Sequence, residues 1–451
     1  MSIKCNIEKL INKAGWDNKP AYASFVPGRI NITEYMDMLR SRQVSMALDK
    51  GIWSISKKRD DGIIRVKMEA YGKEEYVDLK SIFSFIRENR KNLTWKEFIY
   101  QNPHFLMVRG NPLNYVLAPI IRMIYEMDSI FGIKGYEIFI EKGQIPMESG
   151  LSTSSAVVVS SGWHFTAHNP RFEMPGDKAV IFGEGEWYTG TRGGFNDHAT
   201  IIYGRAGSLL INDHKGENIL TDYVKARRDM DIYIFNSLFN AAKTKGALEK
   251  FNNIKADFLY TAEKCSKYIG SKNILEIGEF RDEQIRDCIK AQGMDRTIKR
   301  ILSFYLFQKE FIIRFQKKQQ IETGDMFKIH WNISRALKNS NEYIDYIIRN
   351  LEITEGIIGA KTVGAGFGGS IIIFAEKNIK IEDILKNLLG GEKTGEKFLK
   401  TLKAQVKRPE IIENMLQDFR KGNKKSKELI TRVNIGNGGF ICDIGEALDR
   451  G

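Results

Sequence analysis

The sequence predicts an α+β protein of two domains, and three observations carry that expectation. At 451 residues the chain exceeds one compact core, since domains run to about 150 residues each. Its first half alternates strand-like and helix-like segments, whereas the stretch from about Lys243 to Asn350 is mostly long amphipathic helix. A Gly-rich run then leads into the β-branched segment IIIF, which reads as strand. The expected division is an α+β amino-terminal domain, residues 1–215, and a helix-rich α+β carboxy-terminal domain, residues 216–451, with the break inside 205–235 and no assignment for the tail after about 380.

The elements follow in order. YASFVPGRINI (22–32) and GIWSISKKRDDGIIRVKMEAYG (51–72) read as strands, the latter broken by a polar Asp60-Asp61-Gly62 turn. NPLNYVLAPIIRMIYEMDSIFG (111–132) has apolar residues at helical spacing and predicts a helix that ends at Gly132. YEIFIEKGQIP (136–146) is strand-like. SSAVVVSSGWHFTAH (154–168) reads as helix, although Val157, Val158 and Val159 blur its period. GSLLIND (207–213) and MDIYIFNS (230–237) read as strands, and KFNNIKADFLYTAEKCSKYI (250–269) is a strong amphipathic helix. AKTVGAGFGGSIIIFAE (360–376) reads as loop and strand, 381–403 as helix-rich, and VNIGNGGFICDIG (433–445) as strand around a Gly-rich turn.

Composition narrows the class. Apolar residues make up 42% and charged residues 28%, which suits a globular protein with large cores rather than a disordered one. No window reaches the roughly 18 consecutive apolar residues of a membrane span, and the start MSIKCNIEKLINKAGW lacks the apolar stretch of a secretory signal. Cys5, Cys265, Cys288 and Cys442 are scattered, with no CxxC pair, so a reducing cytoplasm is expected. The net charge of +13 raises the question of nucleic acid. Its excess lies in runs such as KGNKKSKE (421–428) and RTIKRI (296–301), with no zinc finger, RNA-binding signature or basic arm interleaved with aromatics. A solvated basic surface accounts for it.

Four segments carry chemistry. In IPMESGLSTSSAVVV (145–159) a strand enters small, hydroxyl-rich residues and then a helix, whose first N–H groups and dipole favour a phosphate; an ordinary serine-rich cap has the same look. There is no GK[ST], so it is not a Walker loop. GAGFGGS (364–370) precedes a strand and is either a tight turn or a close backbone approach. PGRINITEYMD (27–37) sets Arg29 near Glu34 and Asp37, a pattern of polyol sites and of surface turns alike. GEGEWYTGTRGGFNDHATIIYGRAG (183–207) holds Glu186, Asp197 and His198 around a Gly-rich turn.

Taken together, in order and spacing, these motifs resemble those of the GHMP kinases, a family that includes galactokinase and the homoserine, mevalonate and phosphomevalonate kinases. The resemblance covers most of residues 20–376, and VSMALDKG (44–51), NYVLAPI (114–120) and GDMFKIHWNISRAL (324–337) are similar to galactokinase segments. It implies a two-domain GHMP kinase fold, with a ribosomal-protein-S5-like amino-terminal domain and a ferredoxin-like, helix-rich carboxy-terminal one. It implies ATP and Mg²⁺, with the triphosphate over Gly150, Leu151, Ser152, Thr153, Ser154 and Ser155, and the metal on Ser155 and Glu186. Asp197 would accept the proton of a sugar hydroxyl while Arg29 neutralises charge on the transferring phosphoryl group. Arg29, Glu34, Asp37 and Asp197 would bind the sugar, and the loop carrying Gly366 and Gly368 would close over the nucleotide and line the acceptor pocket.

The departures are specific. Galactokinases usually read GEHTDY after the arginine, whereas this chain reads TEYMDM, one residue shorter and without the histidine. ESGLSTSSA and GGFNDH lean towards heptose-phosphate and fucose kinases, and His198 stands where glutamine is common, which suits a satisfied structural histidine. A free hexose phosphorylated at its anomeric hydroxyl is the expected substrate. A sugar phosphate, which Lys243 and Lys245 would have to meet, a non-sugar alcohol, and a sensor without catalysis are the alternatives; Asp197, Glu186 and Ser155 being present argues for the enzyme.

Overall fold

The computed structural model describes residues 3–16, 20–103, 105, 111–144, 150–191, 193–215, 218–237, 247–364, 366, 368–381, 383–384 and 430–444. The expectations for 145–149, Lys243, Lys245, the basic run at 421–428 and the helix-rich stretch after Ile384 lie outside them.

The chain begins with α1 (Ile3–Ala14), followed by β1 (Tyr22–Asn31), β2 (Gln43–Lys58), β3 (Ile63–Met68) and β4 (Lys73–Asp78). Three helices come next, α2 (Leu79–Arg90), α3 (Trp95–Gln101) and α4 (Leu113–Tyr125). Asp78 caps α2 by accepting from the N–H groups of Lys80 and Ser81, and Thr94 with Glu97 forms a capping box on α3. β5 (Tyr136–Ile140) leads to α5 (Thr153–His168), α6 (Lys178–Glu186) and α7 (Asn196–Tyr203), and then to the hairpin β6 (Ser208–Lys215) and β7 (Asn218–Lys225).

The strands up to β7 form one sheet in the order β1-β2-β5-β3-β4, with β6 paired to β2 and β7 to β6. The hairpin Ser208–Lys225 straddles residue 215, so the first sheet continues past the expected division. α5 is buried nearly all round because it packs on β1 and β2 from one side and on α4 and α6 from the other. α4 ends at Tyr125 rather than at Gly132: the Tyr125 carbonyl accepts from Arg90 Nη1, and Gly132 sits in the following loop with φ 82°.

The second unit runs from β8 (Met230–Asn236) through α8 (Ala247–Tyr268), α9 (Asp282–Lys290), α10 (Arg296–Lys318), α11 (Asp325–Leu337) and α12 (Glu342–Glu352) to β9 (Ile357–Thr362) and β10 (Ser370–Glu376). The residues after 380 supply β11 (Ile430–Val433) and β12 (Phe440–Asp443). The second sheet has the order β11-β8-β10-β9, whereas β12 returns to the first sheet and pairs antiparallel with β1. The unassigned tail thus stitches both sheets.

One apolar cluster crosses between the units. Ile30, Met46 and Leu151 pack in the same core as Phe304 and Phe315 of α10 and Ile372 and Phe374 of β10. Continuous packing of this kind fixes the two sheets against each other and floors the cleft between them.

Candidate active site

β1 pairs with β2 through an irregularity between Pro27 and Arg29, where proline has no N–H to give a ladder. Arg29 emerges just past it, buried, with its backbone N–H on the Leu151 carbonyl at 3.2 Å. Its guanidinium grips Asp197 with Nε on Oδ1 and Nη2 on Oδ2, and Nη1 donates to the Gly150 carbonyl at 2.8 Å. The fork geometry of arginine suits a bidentate carboxylate partner. Burial alone would raise the Asp197 carboxyl, but the adjacent Arg29 charge and its hydrogen bonds outweigh it and hold the group below the usual carboxylate range.

Ser152 occupies the N-cap position of α5 with φ 58°, and its hydroxyl donates to Asp197 instead of capping the helix. The serine-rich turn is therefore more than a cap. Ser155 Oγ donates to Glu186 Oε2 at 2.9 Å, which places two side-chain oxygens beside the first turn of α5. His198 Nε2 lies 3.1 Å from the same Glu186 oxygen. Neither ring nitrogen of this buried histidine completes a hydrogen bond by both distance and angle among the described residues, and the Glu186 carboxylate is the charged group it lies against.

Gly150 and Gly364 explain each other. A Cβ on Gly150, whose φ is 82°, would stand 2.6 Å from the Val363 carbonyl oxygen, and one on Gly364 would meet the Gly150 oxygen at 2.8 Å. The two Gly-rich motifs thus pack backbone against backbone across the units, which only glycine allows.

These groups line one cleft of about 510 Å³, together with Glu34 and Asp37. Of the expected residues, Arg29, Glu34, Asp37, Gly150, Ser152, Thr153, Ser154, Ser155, Glu186 and Asp197 all face it. Leu151 does not: its side chain is in the core. Gly366 and Gly368 are also absent from the lining; Gly364 is the glycine of that loop that faces the cleft, and Gly366 is pressed against Asn339. Asp37 is partly committed already, accepting from the N–H groups of Asn196 and Met38, each at 2.9 Å.

Several lining residues were not expected. Asn31 Nδ2 stands 3.3 Å from both Glu34 Oε2 and Asp197 Oδ1, bridging the two carboxylates. Met68, Tyr71, Pro112, Tyr115 and Val157 add apolar and aromatic surface to the lining, as do Tyr35, Met38 and Phe251. Beneath the wall lies Lys361, fully buried, with Nζ 2.8 Å from Glu34 Oε1. The sequence did hold a signal for it, a lone lysine in the otherwise apolar run IIGAKTV. Among the described residues no group of three or more His, Cys, Asp or Glu side chains could hold a metal. No helix there is long and apolar enough to cross a membrane.

Comparison with known proteins agrees with this geometry. Residues 114–205 match the family model described as GHMP kinases N terminal domain, and residues 312–390 match GHMP kinases C terminal. The chain is 26% identical over 381 residues to a galactokinase of Lactococcus lactis, covering 80% of this chain and 85% of that one. It is 24% identical over 381 residues to a galactokinase of Staphylococcus saprophyticus, covering 82% and 90%. In structure it resembles Lactococcus lactis galactokinase complexed with galactose, with a TM-score of 0.68 at 19% identity over 97% of this chain and 99% of that one. That likeness shows a shared two-domain fold.

Proposed function

We propose that the chain is a GHMP kinase of the galactokinase-like kind, a sugar kinase that transfers the γ-phosphoryl group of ATP to a hydroxyl of a free hexose, the anomeric one. The observation that carries the reading is the meeting of three separate motifs at the Arg29–Asp197 pair beside the start of α5, with the fourth brought to the same cleft by Gly364. The galactokinases named above support a hexose.

The cleft divides the labour by chemistry. The triphosphate would lie over the first turn of α5, where backbone N–H groups and the helix dipole favour anions. The base would sit against the aromatic and apolar lining, Tyr115 and Val157. The sugar would sit at the acceptor end, its hydroxyls on the polar lining, Glu34, Asp37 and Asn31.

A magnesium ion fits the donors available. Ser155 and Glu186 present hard oxygens 2.9 Å apart beside the phosphate turn, and Mg²⁺ commonly takes only one or two protein ligands, leaving the rest to phosphate and water. When bound it would neutralise charge on the phosphate oxygens.

Asp197 would orient the acceptor hydroxyl and take its proton as the oxygen meets phosphorus. A carboxylate held ionised by Arg29 suits this role, because phosphoryl transfer asks for positioning and charge stabilisation more than for a strong base. Arg29 would keep Asp197 aimed and offset negative charge on the transferring group.

The test is ADP release with MgATP against a panel of free sugars, uronic acids and sugar phosphates, with Asp197→Asn beside the wild type. Turnover on a hexose that falls by about 10²–10⁴ in the variant is expected. Equal turnover in the variant would remove Asp197 from the mechanism. Turnover only on a phosphorylated or non-sugar alcohol would overturn the substrate assignment.

A further inference from the structure

Lys361 lies in β9, a strand buried along its whole length, and is fully buried itself. Its ammonium has three protons and three acceptors: the Thr362 carbonyl at 2.7 Å, Glu34 Oε1 at 2.8 Å and the Asn31 carbonyl at 2.9 Å. With every proton taken by the protein, Lys361 has none to offer a phosphate or a sugar. Glu34, by contrast, lines the cleft. It accepts Lys361 on one oxygen and Asn31 Nδ2 on the other, which leaves acceptor capacity on a carboxylate with about four lone-pair sites.

We infer that Lys361 is a positioning residue for the sugar: from the second domain it holds one oxygen of Glu34 and aims the carboxyl group into the acceptor end of the cleft. This rests on the kinase reading above.

Charge accounting supports it. The charged groups facing Glu34 are Lys361 from β9 and Arg29 from β1, with Asp197 of α7 reached through Asn31. Asp37 and Glu186 line the same cleft, so carboxylates already outnumber the two cations, and removing Lys361 adds to the negative excess around Glu34. Burial pushes the Glu34 carboxyl above its ordinary value and the Lys361 ammonium below its own, and each partner opposes the other's shift. A buried ion pair is often no more stabilising than apolar side chains of similar volume. Stability alone therefore does not account for a lysine here, whereas a carboxylate that must stay charged at a substrate wall does. The bond also joins residues 327 positions apart, one after β1 and one in the second sheet, so the acceptor end is complete only when both units are docked.

The experiment uses the full chain as Lys361→Met, Lys361→Arg, Glu34→Gln and the double variant Glu34→Gln/Lys361→Met. In Lys361→Met the sugar KM should rise by about 10- to 100-fold, the scale of one lost hydrogen bond to a charged group, while the ATP KM stays unchanged. The acid limb of kcat/KM for sugar should move to higher pH, because the burial that raises Glu34 is then unopposed. Lys361→Arg should restore part of the loss. Infrared difference spectra should show the carbonyl band of a protonated carboxylic acid in Lys361→Met at neutral pH, and that band should vanish in the double variant.

A sugar KM that does not change, or sugar and ATP KM values that rise together, would overturn the assignment, as would the absence of the carboxylic acid band. If Lys361→Met does not fold, Glu34→Gln and the double variant decide it: equal sugar KM values are expected, and a further loss in the double variant would refute action through Glu34. If the wild type turns over no sugar, the kinase reading falls, and the infrared band still decides what Lys361 does to Glu34.

Discussion

α5, the helix behind the serine-rich turn, is anchored by two histidines, and acid should release it. His164 of α5 is fully buried, with Nε2 2.8 Å from Ser54 Oγ and 3.2 Å from Ser24 Oγ, and Nδ1 2.7 Å from Ser56 Oγ. Ser56 continues to His168 Nε2 at 2.8 Å, and Ser160 joins Ser54 at 2.7 Å. Hydroxyls can serve a neutral imidazole at both nitrogens, but among the described residues no hydrogen bond or ion pair joins either ring to a carboxylate. Burial therefore pushes His164 down to about 3 and His168 down to about 4. Both folded values lie below the unfolded one, near 6.5, so the unfolded chain binds more protons below that pH and stability falls as pH falls. At 1.36 kcal/mol per pH unit, each histidine costs about 2 kcal/mol at pH 5 relative to pH 7, and the pair about 4. That is a large share of a typical stability of about 5–15 kcal/mol. Urea unfolding at several pH values from 7.5 to 5 measures it, a window in which ordinary carboxylates, titrating near about 4, contribute little. His164→Asn should lower stability at pH 7.5 yet flatten the dependence by about half. Stability that is constant from pH 7 to 5, or an unchanged slope in the variant, would refute the reasoning.

Three further outcomes follow from the cleft. Glu186→Gln should raise the Mg²⁺ concentration needed for half-maximal rate by about 10- to 100-fold with little change in folding, read from rate against metal concentration. Gly150→Ala should destabilise the fold by at least about 1–2 kcal/mol, because the position has φ 82° and a Cβ would stand 2.6 Å from a backbone oxygen; thermal melting measures it. Tyr115→Ala should raise the ATP KM about tenfold and leave the sugar KM unchanged if the base stacks on that ring, which steady-state kinetics decide.

What the sequence made legible was the part whose chemistry is local. Ser155, Glu186, Arg29 and Asp197 stand in runs of glycine and small polar residues where helical or strand periodicity stops, and such interruptions mark a site. What it hid depends on partners far along the chain. The apolar residues of YEMDSIF continue the period of α4, yet the helix stops at Tyr125, where Arg90 of α2 takes a carbonyl; Phe131, which fits the pattern, is 98% exposed. Ser152 reads as a cap, and only its distance to Asp197 of α7 shows the hydroxyl turned to another use. Lys361 stands out as a lone lysine in an apolar run, but the run does not say which group meets its charge. Its burial follows from Glu34, brought to it by the docking of two sheets, and the last strand, β12, belongs to a sheet begun at Tyr22 for the same reason. The glycines show where the line falls. Gly150 and Gly364 were each readable as a tight turn, and neither alone could say that its missing side chain makes room for the other. The candidate catalytic groups are written in single segments, whereas the distances between those segments are set by packing across the domain interface. A change in that packing would therefore alter acceptor binding before it altered any residue named by a motif.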